Sequence, residues 1–307
     1  MARSFKQLMH GVGLRIAHIS DVHFGHFTLS PLQFFSKRFI GNAHLGLSRW
    51  REFAPRRLYH HFARTLVSQN VDLVVITGDL TTTTHKKELG LALDFFHELE
   101  EAGLCVLALP GNHDHYTSRA FREKHFYEYF TNDPSPSNPT DRLETQRLEV
   151  YPISRGVWLI ALDTAIPTSL LSSHGLFPEA LEMRLEQILS ALPKEDSIIL
   201  CSHYPYIDIE QRPKHALQRG EALEALLLRH PQVVLYLHGH THRHTLADLR
   251  ETGLPITLDA GSVSLRENPT YNLIDMTRDG CEIEAMRGTW RGNHTEWAPF
   301  KSERFTF

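Results

Sequence analysis

An α/β layered fold is predicted by three observations. Short apolar runs rich in β-branched residues recur along the chain, helical apolar spacings fall between several of them, and in the last third the runs continue without helices. The runs are Leu14 to Ile19, Val71 to Ile76, Leu104 to Leu109, Val157 to Leu162, Ile198 to Cys201 and Val233 to Leu237. Each has strand length and reads as a buried strand. Between them, Leu58, Phe62 and Leu66 stand four residues apart, as do Leu91, Phe95 and Leu99, and Leu181, Leu185, Ile188 and Leu192 follow the same period. Pro255 to Ser262, Tyr271 to Met276 and Cys281 to Met286 have no helices between them and predict a mainly antiparallel edge or second sheet. Thr131 to Asp141, dense in Pro, Ser and Asn, reads as an exposed loop. No internal repeat is visible, and 307 residues suit one large domain carrying insertions.

Composition removes several classes of function. A formal net charge of -4 argues against a general nucleic-acid binder. The three cysteines, Cys105, Cys201 and Cys281, are odd in number and sit beside apolar residues, which argues against a disulfide framework and for a reducing, cytosolic setting. Arg3, Lys6 and His10 interrupt the N-terminus before a signal peptide could form, and no later stretch reaches the length of a membrane span, so any membrane contact is expected to be peripheral. The compositional oddity is 21 histidines, which directs attention to imidazole chemistry.

Acidic, amide and imidazole side chains stand just after the strand runs, where an α/β sheet presents its ligand-binding loops. The first run leads into Asp21-Val22-His23, the second into Gly78-Asp79, and the third into Gly111-Asn112-His113-Asp114. His203 follows Ile198 to Cys201, and Gly239-His240-Thr241-His242 follows Val233 to Leu237. Any one of these is common, and a lone histidine is more often a hydrogen-bonded surface or core residue than a ligand. Together they form a set of oxygen and imidazole donors without thiolate, suited to Mn, Fe or Zn and too large for one tetrahedral ion. Two ions is the natural count.

In this order the five blocks resemble the calcineurin-like metallophosphoesterase superfamily, whose signature is D-x-H, G-D, G-N-H-[DE], a downstream His and G-H-x-H. The resemblance runs from Asp21 to His242. It implies a β-sandwich of two mixed sheets flanked by helices, and hydrolysis of phosphoester or diphosphate bonds with two divalent cations, Mn2+ first and Fe or Zn as alternatives. Transferred position by position, it implies that Asp21, His23 and His242 hold one cation, that Asn112, His203 and His240 hold the other, and that Asp79 bridges them. Such a pair lowers the pKa of a water and clamps the phosphoryl oxygens of an in-line displacement. His113 is the implied general acid at the leaving group. Asp114 either orients His113 or caps its loop. Many relatives carry an acidic or amide residue three positions after the bridging Asp, and here Thr82 stands there, which puts that support of His113 in doubt.

Between the first two blocks, residues 24–64 form an aromatic and basic insertion, expected to be a cap or a membrane-facing element. It holds Phe34, Phe35, Phe39, Trp50 and Phe53 with Lys37, Arg38, Arg49, Arg51, Arg56, Arg57 and Arg64, against Glu52 as its single acid. Ser30-Pro31 starts and Gly41 stops a short amphipathic helix with Leu32, Phe35 and Phe39 on one face. Such a surface suits an amphiphilic phosphate, although aromatics of this kind commonly pack a cap onto a core. Phe35-Ser36-Lys37-Arg38, Gly41-Asn42 and Gly78 to Thr83 resemble the bacterial UDP-2,3-diacylglucosamine pyrophosphatases of the chlamydial type. That resemblance implies cleavage to UMP and lipid X in lipid A synthesis, on the cytoplasmic face of the inner membrane. Lys37, Arg38, Asn42 and Arg51 are then the expected substrate contacts. The rivals are a cyclic nucleotide or general phosphodiesterase on the same metal core, a nuclease, and a non-catalytic scaffold. Trp290, Trp297, Phe300, Phe305 and Phe307 in the tail read as a second lipid or partner surface, or as packing on the domain itself.

Overall fold

A computed structural model describes residues 4–26, 52–132, 141–169, 171–208, 211–292 and 294–307. The expected amphipathic helix from Ser30 to Gly41, most of the loop 131–141, and Lys37, Arg38, Asn42 and Arg51 lie outside the described residues. In chain order the strands are β1 (Gly13–Ile19), β2 (Leu73–Ile76), β3 (Cys105–Ala108), β4 (Leu148–Ser154), β5 (Val157–Leu162) and β6 (Gly175–Leu176). They continue as β7 (Ser197–Cys201), β8 (Leu217–Gln218), β9 (Val233–His238), β10 (His244–Ala247), β11 (Ile256–Ala260), β12 (Thr270–Thr277), β13 (Gly280–Arg291) and β14 (His294–Thr306).

Two six-stranded mixed sheets, ordered β14-β13-β12-β1-β2-β3 and β10-β11-β9-β7-β5-β4, pack face to face. Alternate residues of the strands meet between them, among them Ile16, Val75, Leu107, Leu159, Ile199, Leu235, Leu258 and Ile274, all fully buried. Each such side chain contributes about 1.5–3 kcal/mol by leaving water. The other face of each central strand is also apolar, because helices cover it. Helices Phe62–Ser68 and Lys86–Glu101 cover the first sheet, and helices Glu179–Ala191 and Gly220–Arg229 cover the second. This is the two-sheet sandwich with flanking helices that the sequence predicts.

Differences from the sequence reading have local causes. Leu58 ends a 3-10 turn, Pro55–Arg57, rather than opening a helix, because left-handed His60 (φ 63°) breaks the chain before Phe62. The last third divides between the sheets. Strand β11 joins the second sheet parallel to β9, while β12, β13 and β14 extend the first sheet antiparallel from β1. The aromatic tail divides: Phe305 is buried and Trp297 packs on Phe62 and Tyr271, whereas Phe300, with Arg287 over its ring, and Phe307 are exposed. All three cysteines are buried free thiols. Among the described residues no helix is long and apolar enough to cross a membrane.

Candidate metal centre

The parallel strands end in step. Ile19 of β1 pairs with Ile76 of β2, which pairs with Ala108 of β3. In the other sheet Ala161 of β5 pairs with Cys201 of β7, Cys201 with Leu237 of β9, and His238 of β9 with Asp259 of β11. The loops that follow therefore converge on one edge of the sandwich, and they carry all seven side chains expected as ligands.

Two groups of donors result. His23 Nε2 lies 3.0 Å from His242 Nε2, and Asp21 Oδ1 lies 3.6 Å from the former and 3.1 Å from the latter. On the other side, Asn112 Oδ1 is 3.2 Å from His203 Nε2 and 3.1 Å from His240 Nδ1. Asp79 Oδ2 falls between the groups, 3.6 Å from His203 Nε2 and 3.8 Å from His23 Nε2. One donor atom from each of Asp21, His23, Asp79 and His242 lies within 4.8 Å of the others.

This arrangement fits cations better than protons. Asp21 Oδ1 is buried and makes no hydrogen bond, although two imidazole nitrogens flank it. A proton between His23 and His242 would serve those two rings alone, whereas a cation serves all three donors. The second nitrogens of two rings are already committed: His203 Nδ1 donates to Thr77 O at 2.7 Å, and His240 Nε2 donates to His215 O at 2.9 Å. These bonds fix the tautomers, so that His203 Nε2 and His240 Nδ1 present lone pairs to the centre.

Electrostatics agree. Burial alone would raise Asp21, but His242, His23 and His203 around it hold the carboxyl well below its ordinary range. Burial pushes His203 down and His240 well down, which keeps both rings in the neutral form that binds metal. Behind them, burial lowers His18 to about 3 and His238 to about 4, so neither adds a competing positive charge at neutral pH.

The backbone is strained at the same places. Asp21 (φ 55°), His23 (54°), Asp79 (54°), His240 (73°) and His242 (57°) all lie in the left-handed region, which costs about 1–3 kcal/mol per non-glycine residue. Glycines permit the tight approach beside them. Gly78 turns at φ 101° immediately before Asp79, and a Cβ on Gly239 would overlap Ser20 Oγ beside Asp21.

His113 is nearly buried, with its ring 5.2 Å from that of His23. Its Nδ1 donates to the main-chain carbonyl of Thr82 at 2.6 Å, which fixes the ring with Nε2 directed away from that carbonyl. Position 82 therefore does support His113, through its backbone carbonyl rather than its side chain. Asp114 acts as a loop cap: it accepts from Leu80 N, Thr81 N, Thr81 Oγ1 and Gly111 N, tying the Asp79 and Asn112 loops together. Its burial raises its pKa, against which those four donors act.

The sequence reading missed Asp163, although it obeys the same rule of a polar residue directly after a strand. Buried at the end of β5, it accepts from Tyr127 Oη at 2.8 Å and Ala165 N at 2.9 Å, and lies 3.3 Å from His115 Nε2 and 3.5 Å from Arg147. It thereby braces the chain just beyond His113. Burial raises its pKa, but Arg147, His115 and Tyr127 outweigh burial and hold it at about 2. A depressed carboxylate stabilises the fold above its unfolded pKa and loses that contribution as pH falls toward 2. Asp163→Asn is therefore expected to lower stability by roughly 2–3 kcal/mol at pH 7 and to flatten the acid limb between pH 4 and 2. Urea melts across that range test this, and parallel acid limbs for both proteins would refute it.

Also unforeseen were the carbonyls of Thr77, Thr82 and His215, and two hydroxyls on the main chain of the first ligand. Ser262 Oγ donates to Asp21 O at 2.7 Å and Ser264 Oγ donates to Val22 O at 2.7 Å.

The two-sheet sandwich is shared with known proteins. Residues 14–244 match the calcineurin-like phosphoesterase family, and the chain belongs to it. That family is one of phosphoesterases, and the Asp21, His23, Asp79 and His242 donors form a group that could hold a metal ion. The chain's structure is similar to a dimetal phosphatase from Danio rerio, with a TM-score of 0.61, 15% identity, and coverage of 94% of this chain and 99% of that one. A purple acid phosphatase from yellow lupin (Lupinus luteus) seeds aligns with a TM-score of 0.56 at 10% identity, covering 91% of this chain and 52% of that one. At these identities the likeness is one of fold. In sequence, 103 residues are 30% identical to the DNA double-strand break repair protein Mre11 of Methanopyrus kandleri, spanning 33% of this chain and 19% of that protein.

Proposed function

We propose that the protein is a UDP-2,3-diacylglucosamine diphosphatase, releasing UMP and lipid X for lipid A synthesis at the cytoplasmic face of the inner membrane. Asp21, His23 and His242 would hold one divalent ion and Asn112, His203 and His240 the other, with Asp79 placed between the two donor groups. Bound there, divalent ions, Mn2+ in the first instance, would supply an activated water and positive charge to offset that of the diphosphate oxygens. The chain's own residues do the rest: the two donor groups fix where the diphosphate sits, Thr82 O holds the His113 ring, and His113 Nε2 delivers a proton to the leaving oxygen.

The observation that carries the substrate class is the attachment of the basic, aromatic stretch to the donor cluster. Its first residues are pinned beside His23: Phe24 bridges to Thr81, and His26 N donates to buried Glu88. Further along it returns to the same place, with the Phe53 ring 4.5 Å from that of His23. The residues between these anchors, which include Lys37, Arg38, Asn42 and Arg51, supply cationic and apolar groups of the kind an acylated sugar diphosphate requires. Residues 24–64 act in this reading as a specificity element on a single catalytic domain.

The test is an Mn(II) product assay on UDP-2,3-diacylglucosamine, cyclic AMP and bis-p-nitrophenyl phosphate in parallel. Strong preference for the lipid nucleotide, with UMP as product, is expected. Equal or better turnover of cyclic AMP would overturn the lipid assignment and leave a nucleotide phosphodiesterase.

A further inference from the structure

We infer that Phe53 is a positioning residue for one of the two cations, its ring setting the orientation of His23 and His242 and screening their side of the cluster from water. The inference rests on the ligand assignment proposed above. Sequence alone groups Phe53 with the aromatics of the insertion, where a role toward substrate is the natural expectation. The structure puts it elsewhere. Its side chain is only 3% exposed and packs against both imidazoles, with ring centroids 4.5 Å from His23 at 53° and 5.2 Å from His242 at 86°. The two imidazoles stand 5.0 Å apart at 77°, so the three rings form a closed triangle in which the two Nε2 atoms lie 3.0 Å apart. Tilted and edge-on pairs of this kind have preferred geometries, so a fixed phenyl ring restricts the rings it meets.

The phenyl ring is itself held by the segment that holds Asp21. Ala54 N donates to Ser264 O at 2.7 Å, Arg266 N donates to Glu52 O at 2.8 Å, and Phe53 bridges to Leu265. The hydroxyls of Ser262 and Ser264 donate to Asp21 O and Val22 O from the same stretch. Residues 262–266 thus fix one carboxylate through its main chain and two imidazoles through Phe53. The opposite donor group is set differently, by the hydrogen bonds from His203 to Thr77 O and from His240 to His215 O. Loss of the phenyl ring should therefore disturb one cation site and spare the other, a selectivity that loss of general packing does not produce.

Metal-free protein is titrated with Mn(II) by calorimetry, with electron paramagnetic resonance in parallel, for wild type, Phe53→Ala and Phe53→Leu. Wild type is expected to take up two equivalents. Phe53→Ala should keep one near its wild-type affinity and lose about 10–100-fold at the other, the usual effect of removing support from a ligand. Near one equivalent its spectrum should be that of isolated Mn(II) rather than a spin-coupled pair. Phe53→Leu, which keeps bulk without a ring, should fall between and carries the test if the alanine variant does not fold. Unchanged affinities, or equal weakening of both sites with a matching fall in Tm, would overturn the inference. Uptake of a single ion by wild type would refute the two-ion assignment on its own account. Phe53 would then be judged on that ion, a tenfold weakening supporting the inference and no change overturning it.

Discussion

Asp79→Ala is expected to leave a folded protein that retains at most one tightly bound divalent ion and has lost turnover by on the order of a thousandfold, about 4 kcal/mol of transition-state stabilisation. The size follows from how much one carboxylate touches. Oδ2 lies within 3.8 Å of both His203 and His23, and Oδ1 accepts from His113 N at 2.8 Å. Removing it deprives both donor groups of their shared anion and loosens the loop that presents His113. Asp79→Asn separates these effects, because an amide keeps an acceptor for His113 N but gives up the negative charge. Metal content after gel filtration and steady-state rates read the two effects apart. Two ions retained in Asp79→Ala, with kcat within tenfold of wild type, would remove Asp79 from its bridging position.

The second large effect belongs to His113. His113→Ala should lower kcat by about 10²–10⁴, the usual range for a positioned proton donor, while both ions stay bound. The loss should be smaller for bis-p-nitrophenyl phosphate, whose p-nitrophenolate departs readily without a proton, than for a substrate with a poor leaving group. Equal losses on both substrates would point to charge stabilisation rather than proton delivery. Unchanged turnover would remove the residue from the mechanism.

The elements that could be read from sequence share one property: a side-chain pattern dictates them. Buried strands such as Val71 to Ile76 announce themselves because both faces are covered, and the candidate ligands because they follow those strands directly. Supports made by the main chain leave no such trace. Any residue at position 82 would offer the carbonyl that holds His113, so Thr82 gave no hint of it. Phe53 stayed hidden for the opposite reason, since its composition matched its neighbours in sequence while its contacts lay with residues 23 and 242. Strand β14 also escaped notice, because an edge strand exposed along much of its length, with Pro299 beside a register shift, lacks the alternation that marks a half-buried strand. Asp163 could have been found: it stands one residue after a recognised run, and only the lack of any histidine or glycine at that strand end set it apart from the five blocks.

The left-handed backbone at Asp21, His23, Asp79, His240 and His242 has a consequence for the life of the protein outside catalysis. Residues held against their preferred conformations weaken the loops that contain them, and ions that bind only the folded arrangement restore the difference by mass action. Divalent cation supply thus becomes a folding variable as well as a catalytic one. In a cell starved of metal, these loops would lose that support, open more readily and offer the chain to proteases.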